Sequence, residues 1–341
     1  MNTMNPRVSV IILNWNGWED TVECLESLYQ INYPNYDVVV VDNDSSDDSI
    51  EKIMDYCEAK IKPESNFYTY QSSNKPIEIF KYTKQETELE PENNKLDGYS
   101  DIPKEIPKER LFLIENDKNY GFAEGNNIGI RYALKTLHPN YVLLLNNDTV
   151  VEPNFLTELI KTGESNDKIA VVGPKTYFYD YNGRNDVVWS VGGTVDLSRY
   201  PGYHNINMDD HHPPVDNHSV MEVDWISGAV MLIKTDRLSS SFLNSDFFFG
   251  CEDVDLCIEM EKKDFRMVTN LNSVVWHKAS VSKNKVRFRG LSREIKTNLK
   301  FMKTHEKNYR LHLPIYILQI IYTYSSMLIK KIGRDIKISV S

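Results

Sequence analysis

Val8–Leu13 (VSVIIL) and Val38–Val41 (VVVV) are unbroken apolar runs dominated by β-branched residues. A strand that alternates polar and apolar residues leaves one face to water, whereas runs like these have no polar face at all. Only a strand covered on both sides suits them, as in a parallel sheet sandwiched by helices. Between them, Val22, Leu25 and Leu28/Tyr29 recur at helical spacing. Strand, helix and strand of this size imply a right-handed parallel crossover. Leu111–Ile114 and Tyr141–Leu145 read as a third and fourth strand, with a helix near Gly125–Leu137 between them. Polar residues cluster just after each strand, where open parallel sheets bind ligands. Further on, Val187–Val191, Val230–Ile233 and Ser273–Trp276 read as strands, and Asp253–Lys263 as a helix. The expected class is α/β, a Rossmann-like, mainly parallel sheet with helices on both faces.

Two regions stand apart. Glu58–Arg110 is rich in Lys, Glu, Asn and Pro and shows little apolar periodicity. It reads as a polar insertion at 58–110, partly ordered and outside the catalytic sheet, with a short hairpin around Pro76–Tyr82. Residues 291–341 read as a basic and apolar helical extension to a catalytic domain of residues 1–290. The net charge is −10, yet residues 281–341 hold 14 Lys+Arg against 3 Asp+Glu, a balance of +11. The preceding 280 residues therefore carry −21. So acidic a body repels nucleic acid and argues against a general nucleic-acid binder, while the basic tail favours an anionic partner such as a phosphate group or a lipid surface.

Leu313–Ile329 is apolar and uncharged, flanked by Lys300, Lys303, Lys307 and Arg310 on one side and Lys330, Lys331, Arg334 and Lys337 on the other. At the low limit for a spanning helix, it suits a helix lying in an anionic membrane interface. A helix packed on the catalytic domain, or buried in a dimer, accounts for it equally simply. Cys24, Cys57, Cys251 and Cys257 form no metal-binding spacing and read as free thiols of a reducing compartment. Met1–Arg7 is polar and leaves no room for a secretory signal, and the two glycosylation sequons, at Asn43 and Asn147, fall inside candidate functional motifs. The expected location is cytoplasmic, or peripheral on the inner face of the cell membrane.

Neither Gly-x-Gly-x-x-Gly nor a P-loop follows the first strand, so dinucleotide redox and P-loop chemistry are disfavoured. Asp42 ends the second strand, where a carboxylate can accept from a nucleobase imide or a ribose hydroxyl, or simply cap a turn. Asn119–Asn127, with Gly121 and Gly125, suits a phosphate at a helix N-terminus, or ordinary turn chemistry. Asn146-Asn147-Asp148 follows YVLLL, where a carboxylate can hold Mg²⁺ or Mn²⁺ with substrate phosphates completing the shell. Glu252, Asp253 and Asp255 start a helix, where acids complement the dipole, but one of them can also act as general base. His277 ends the strand SVVW and is either structural or a metal ligand.

In order, these segments resemble the inverting family-2 glycosyltransferases of the GT-A fold, particularly the rhamnosyltransferase-like branch. The carriers are VSVIILNWNG, VVVVDNDSSDDS, NYGFAEGNNIGI, YVLLLNNDTVVEPNFL, WISGAVMLIKTDRL, GCEDVDLC and VVWHKAS. The resemblance implies that Asp42 reads the nucleobase, with Asn14, Asn126 and Asn146 on the donor side. It implies metal binding by Asp148 and His277, and Asp253 as the base. Trp225, Ser227, Gly228 and Glu252 then fall where the acceptor approaches. Asn146 departs from the pattern, since many members carry Asp there, and weaker metal affinity is expected.

The implied reaction moves a sugar from a UDP- or dTDP-sugar to a hydroxyl of a glycan or polyprenyl-linked acceptor, with inversion and with Mn²⁺ or Mg²⁺. A sugar nucleotidyltransferase would want a glycine- and Arg-rich loop after the first strand, where this chain has Asn-Trp-Asn-Gly. A degenerate nucleotide- or carbohydrate-binding module would have no use for Asp148, Asp253 and His277 together.

Overall fold

The structure is a computed structural model describing residues 5–89, 109–206, 219–238, 242–247, 250–279 and 288–340. In chain order the first half comprises β1 (Val8–Asn14), α1 (Trp18–Leu28), β2 (Tyr36–Asp42), α2 (Ser49–Cys57), β3 (Glu78–Thr83), α3 (Lys84–Glu88), β4 (Arg110–Glu115), α4 (Gly121–Tyr132) and β5 (Tyr141–Leu145). The second half comprises β6 (Thr149–Val151), α5 (Phe155–Glu164), β7 (Ile169–Phe178), β8 (Val188–Ser190), β9 (Gly193–Val195), β10 (Tyr203–Asn205), β11 (Val220–Val223), β12 (Val230–Lys234), α6 (Glu252–Glu261), β13 (Arg266–His277), α7 (Phe288–His305) and α8 (Tyr309–Val340).

Among the described residues one sheet has the order β11-β13-β7-β12-β5-β1-β2-β4-β3, with β6 on β13 and β8 on β7. The strands β5, β1, β2, β4 and β3 are mutually parallel, and β12 runs antiparallel to both β5 and β7. A mixed, mainly parallel sheet with helices on both faces is thus borne out. Val8, Val10 and Ile12 pack with α1, α2 and α5, while Ile11, Val39 and Val41 pack with α4 and α6. Each such buried aliphatic side chain contributes about 1.5–3 kcal/mol, which is why the apolar runs define the centre of the sheet.

Two expectations need correcting. The segment 58–110 is not wholly outside the sheet: Glu78–Thr83 pairs with β4 in parallel, from Glu78↔Arg110 to Thr83↔Glu115, and forms its edge. No hairpin forms at Pro76–Tyr82, because the partner of this strand lies some thirty residues downstream in β4. Residues 90–108 lie outside the described residues. The stretch before β3 is also anchored: Ile77 joins the core, and the Lys75 ammonium lies 3.0 Å from the Glu26 carboxylate with both side chains buried.

The helix expected near Gly125–Leu137 starts a turn earlier: α4 begins at Gly121, so that Gly125 and Asn126 lie within it. A Cβ on Gly125 would lie 2.7 Å from Leu13, and one on Gly129 2.7 Å from Ile11. These glycines let α4 lie close on β1, a packing role in place of the phosphate turn expected for Gly125.

Candidate active site

The carboxyl ends of β1, β2, β4 and β5 bring the first group together. Asn14 Nδ2 donates to Asp42 Oδ2 at 2.7 Å, and Thr21 Oγ1 donates to Asn14 Oδ1 at 2.8 Å. Ser45 donates to Asp42 twice, from its backbone N–H at 2.9 Å and its hydroxyl at 2.7 Å. Asp42 is only 1% exposed, so most of its accepting capacity is spent inside the protein. Beside it, Asn43 Oδ1 accepts from Asn116 Nδ2 and Tyr120 N–H, both at 3.0 Å, and its amide donates to Asn119 Oδ1 and Gly121 O. Asn43 therefore fixes the turn into α4. Asn126 is buried, with its amide on Phe122 O at 2.9 Å, so this donor-side candidate sits within the helix.

Asn146-Asn147-Asp148 joins this group to a second one. Asn147 Nδ2 donates to Thr21 Oγ1 at 3.0 Å and Gly17 O at 3.2 Å. Asp148 Oδ1 lies 3.0 Å from His277 Nε2 on β13, and Asn146 Nδ2 lies 3.5 Å from the same nitrogen. Burial pushes the Asp148 carboxyl up, but the neighbouring His277 charge and hydrogen bond outweigh it and leave the group below its ordinary value. The indole of Trp189 meets the His277 ring edge-on, with centroids 4.5 Å apart. Lys278 anchors this end of β13: its ammonium pairs with Asp20 and Glu23 on α1, and its N–H donates to Asp148 O at 3.0 Å.

The third group is tied to the second through backbone. Asn146 N–H donates to Ala229 O at 2.8 Å, and the neighbouring Gly228 N–H donates to Asp253 Oδ2 at 2.9 Å. Asp253 lies in the first turn of α6, which follows Gly250 and Cys251, both at positive φ (90° and 73°). Burial pushes the Asp253 carboxyl up, against the pull of the Gly228 and Val254 N–H groups. The buried Glu252 is pushed up to about 8, first by burial and then by the charge of Asp253. Its Oε2 has no partner among the described residues. Ser227 is half-buried and its hydroxyl accepts from Ala229 N–H at 3.3 Å. Trp225 is buried against Tyr203, its ring edge-on at 5.7 Å, and a Cβ on Gly193 would overlap the indole. It forms a floor beneath this region, not an open platform.

The helix α7 braces the third group from behind. Asn298 Oδ1 accepts from Cys251 Sγ at 3.1 Å, and His305 Nε2 lies 2.7 Å from Asp255 Oδ1. Asp255, two residues beyond Asp253, is thereby occupied structurally.

Residues 92–297 match the family described as glycosyltransferase-like family 2, and residues 9–76 match glycosyl transferase family 2. The chain belongs to the family-2 glycosyltransferases. It is 28% identical over 153 residues to rhamnosyltransferase WbbL of Escherichia coli (strain K12), covering 43% of this chain and 57% of the relative. It is 24% identical over 161 residues to the low-salt glycan biosynthesis hexosyltransferase Agl10 of Haloferax volcanii, covering 46% of this chain and 48% of the relative. The chain thus spans about half the length of these curated relatives. Among solved structures it resembles the mannosyltransferase PcManGT of Pyrobaculum calidifontis in complex with GDP-Man and Mn²⁺, with a TM-score of 0.54 at 16% identity over 89% of this chain and 66% of that one. It also resembles GalNAc-T7 with UDP, GalNAc and Mn²⁺, with a TM-score of 0.55 at 13% identity over 91% of this chain and 50% of that one. The fold is GT-A.

Among the described residues no group of three His, Cys, Asp or Glu side chains forms a metal cage. The Asp148–His277 pair nevertheless has the donor chemistry for Mn²⁺ or Mg²⁺, one carboxylate and one imidazole, with the remaining positions left to phosphate and water.

Proposed function

We propose that the chain transfers a hexose from a UDP- or dTDP-sugar to a hydroxyl of a glycan or polyprenyl-linked acceptor, with inversion at the anomeric carbon. The observation that carries this reading is the chain of bonds through two adjacent residues. Ala229 O holds Asn146 of the Asp148 loop, and Gly228 N–H holds Asp253. A carboxylate suited to a base and a pair suited to a cation are thus fixed to one backbone segment, as alignment of acceptor and leaving group requires.

Asp148 and His277 would hold the cation, which when bound supplies charge stabilisation for the departing diphosphate. Asn14 and Asp42, both buried, brace from beneath the strand ends on which the nucleoside rests, with the half-buried Asn147 beside them. Asp253 takes the proton of the attacking hydroxyl, for which its burial suits it. A carboxyl of raised pKa is a stronger base than an exposed one, and a positioned base is worth about 10²–10⁴ in rate. A single displacement needs no second nucleophilic carboxylate. Glu252, Ser227 and Gly228 line the acceptor side, above Trp225. Four free, buried cysteines agree with a reducing cytoplasm as the place of reaction.

The test is a thermal-shift screen of UDP-, dTDP- and GDP-sugars with Mn²⁺, followed by product analysis with the responding donor. A ligand that binds only the native state raises Tm by mass action. Release of nucleoside diphosphate with sugar transfer is the expected result. Release of pyrophosphate, or a donor bound but never turned over with any acceptor, would overturn the reading.

A further inference from the structure

The helix α8 has two unlike faces. Tyr316 is buried and its hydroxyl donates to Leu197 O at 2.6 Å, while Gln319 Oε1 accepts from Tyr200 N–H at 2.8 Å. That face packs on the catalytic body. On the opposite face Leu311, Leu318 and Tyr322 are 75%, 67% and 76% exposed, and Ile315, Ile317 and Ile321 are about half exposed. At 3.6 residues per turn these six positions fall within an arc of about 160°. Water-facing surface on a helix is normally polar, and an apolar stripe of this width marks an interaction site. The packing on the body leaves the outer face unaccounted for.

The charge decides the partner. The acidic body carries −21, whereas residues 281–341 carry +11. Arg310 at the head of α8 is exposed, as is Lys307 just before it. Between Leu311 and Ile329 there is no charge at all. Among the described residues no helix is long and apolar enough to cross a membrane. An apolar arc bordered by cations, on a helix that does not span, fits the boundary between anionic headgroups and acyl chains, where apolar residues enter the lipid and each Lys or Arg gains from the surface potential.

We propose that the outer face of α8, centred on Leu311, Ile315, Leu318 and Tyr322, seats this protein on an anionic lipid bilayer. The proposal stands on exposure and charge, and does not depend on the sugar donor or acceptor. It also gives the catalytic body an orientation. The α7–α8 unit reaches the α6 N-terminus through Asn298 and His305, so a bilayer beneath α8 holds the base-bearing turn at a fixed height above the lipid.

The experiment is co-sedimentation of the full chain with phosphatidylcholine vesicles, with and without phosphatidylglycerol, at low and high salt. The wild type is expected to sediment with the anionic vesicles at low salt, and to be released when salt screens the charges. Leu318→Glu/Tyr322→Glu is expected to lose binding at least tenfold, with unchanged Tm and unchanged thermal response to nucleotide-sugar, since both residues are exposed. Lys307→Glu/Arg310→Glu is expected to weaken binding to anionic vesicles selectively. Equal sedimentation with neutral vesicles, or no sedimentation with either, overturns the proposal. So does a wild-type dimer that Leu318→Glu/Tyr322→Glu converts to monomer, since the face would then cover a second copy. Failure of the donor screen alone would leave this result untouched.

Discussion

The Gly228 N–H donates to Asp253 Oδ2 at 2.9 Å, and a Cβ on Gly228 would lie 3.4 Å from that of Asp253. The Val254 N–H donates to the other oxygen, Oδ1, also at 2.9 Å, so backbone fixes both oxygens of the base candidate. Asp253→Asn keeps shape and removes basicity. Turnover is expected to fall about 10²–10⁴-fold, with donor affinity by calorimetry unchanged. Because burial raises the Asp253 carboxyl, wild-type kcat should rise with pH through a range above that of ordinary carboxylates. Should Asp255→Asn abolish turnover while Asp253→Asn behaves as wild type, the base is misassigned by two residues.

Asp148 and His277, 3.0 Å apart, come from β-strand ends that only the sheet brings together. Asp148→Ala should abolish stimulation by Mn²⁺ and reduce transfer to the level seen in excess EDTA. His277→Ala should be milder, raising the Mn²⁺ concentration needed for half-maximal rate, because Asp148 and the diphosphate would still ligate. A fully active Asp148→Ala enzyme in EDTA would remove the metal from the scheme.

The buried Glu252 carboxyl couples folding to pH. Its folded pKa, pushed up to about 8, lies above the ordinary carboxyl value of 4.5. The native state therefore binds the proton more tightly than the unfolded state. Stability is fully present below the ordinary value and declines as pH rises towards 8. Glu252→Gln removes that decline. Its Tm should match wild type near pH 5 and exceed it by several degrees at pH 9, measured by calorimetry. A wild-type Tm that does not fall between these pH values relative to Glu252→Gln would contradict the burial argument.

The strands that read clearly in the sequence are those whose environment repeats along the chain. β1, β2 and β5 are buried on both faces, so every position is apolar. β7 (IAVVGPKTYF) was obscured because Gly173 and Pro174 punctuate it, although both lie in register with β13 at Thr269 and Asn270. β3 (EIFKYT) was obscured because an edge strand keeps polar side chains in water, and its charges resemble those of a solvated loop. The start of α4 is hard to place from sequence because Gly121, Gly125 and Gly129 are poor helix formers: Gly121 opens the helix at a φ of 79°, and Gly125 and Gly129 allow its close approach to β1. At the site, single carboxylates were legible from their positions after strands. The residues that hold them were not. Asn43 bonds to Tyr120, 77 positions away, and Lys278 pairs with Asp20, 258 positions away. Nothing in the local pattern announces such partners.

The segment 58–110 is held to the body by a buried ion pair. Lys75 and Glu26 are paired at 3.0 Å, with side chains 2% and 0% exposed, and Tyr56 donates to the same Glu26 carboxylate at 2.8 Å. Gln71 N–H donates to its other oxygen at 2.8 Å. This arrangement pins the approach to β3 onto α1 and α2. Removing one partner of a buried pair strands the other charge, at a cost of about 3–5 kcal/mol. Lys75→Met is expected to destabilise by that amount in urea titration, and Glu26→Gln/Lys75→Met to recover most of it, since no charge then remains buried. Deletion of residues 62–108 removes Lys75, Ile77 and β3 together, and uncovers the β4 edge from Arg110 to Glu115. That variant should be insoluble or unable to bind nucleotide. A soluble, nucleotide-binding deletion would show that the edge strand is dispensable after all, and Lys75→Met with wild-type stability would show that Glu26 finds its compensation elsewhere.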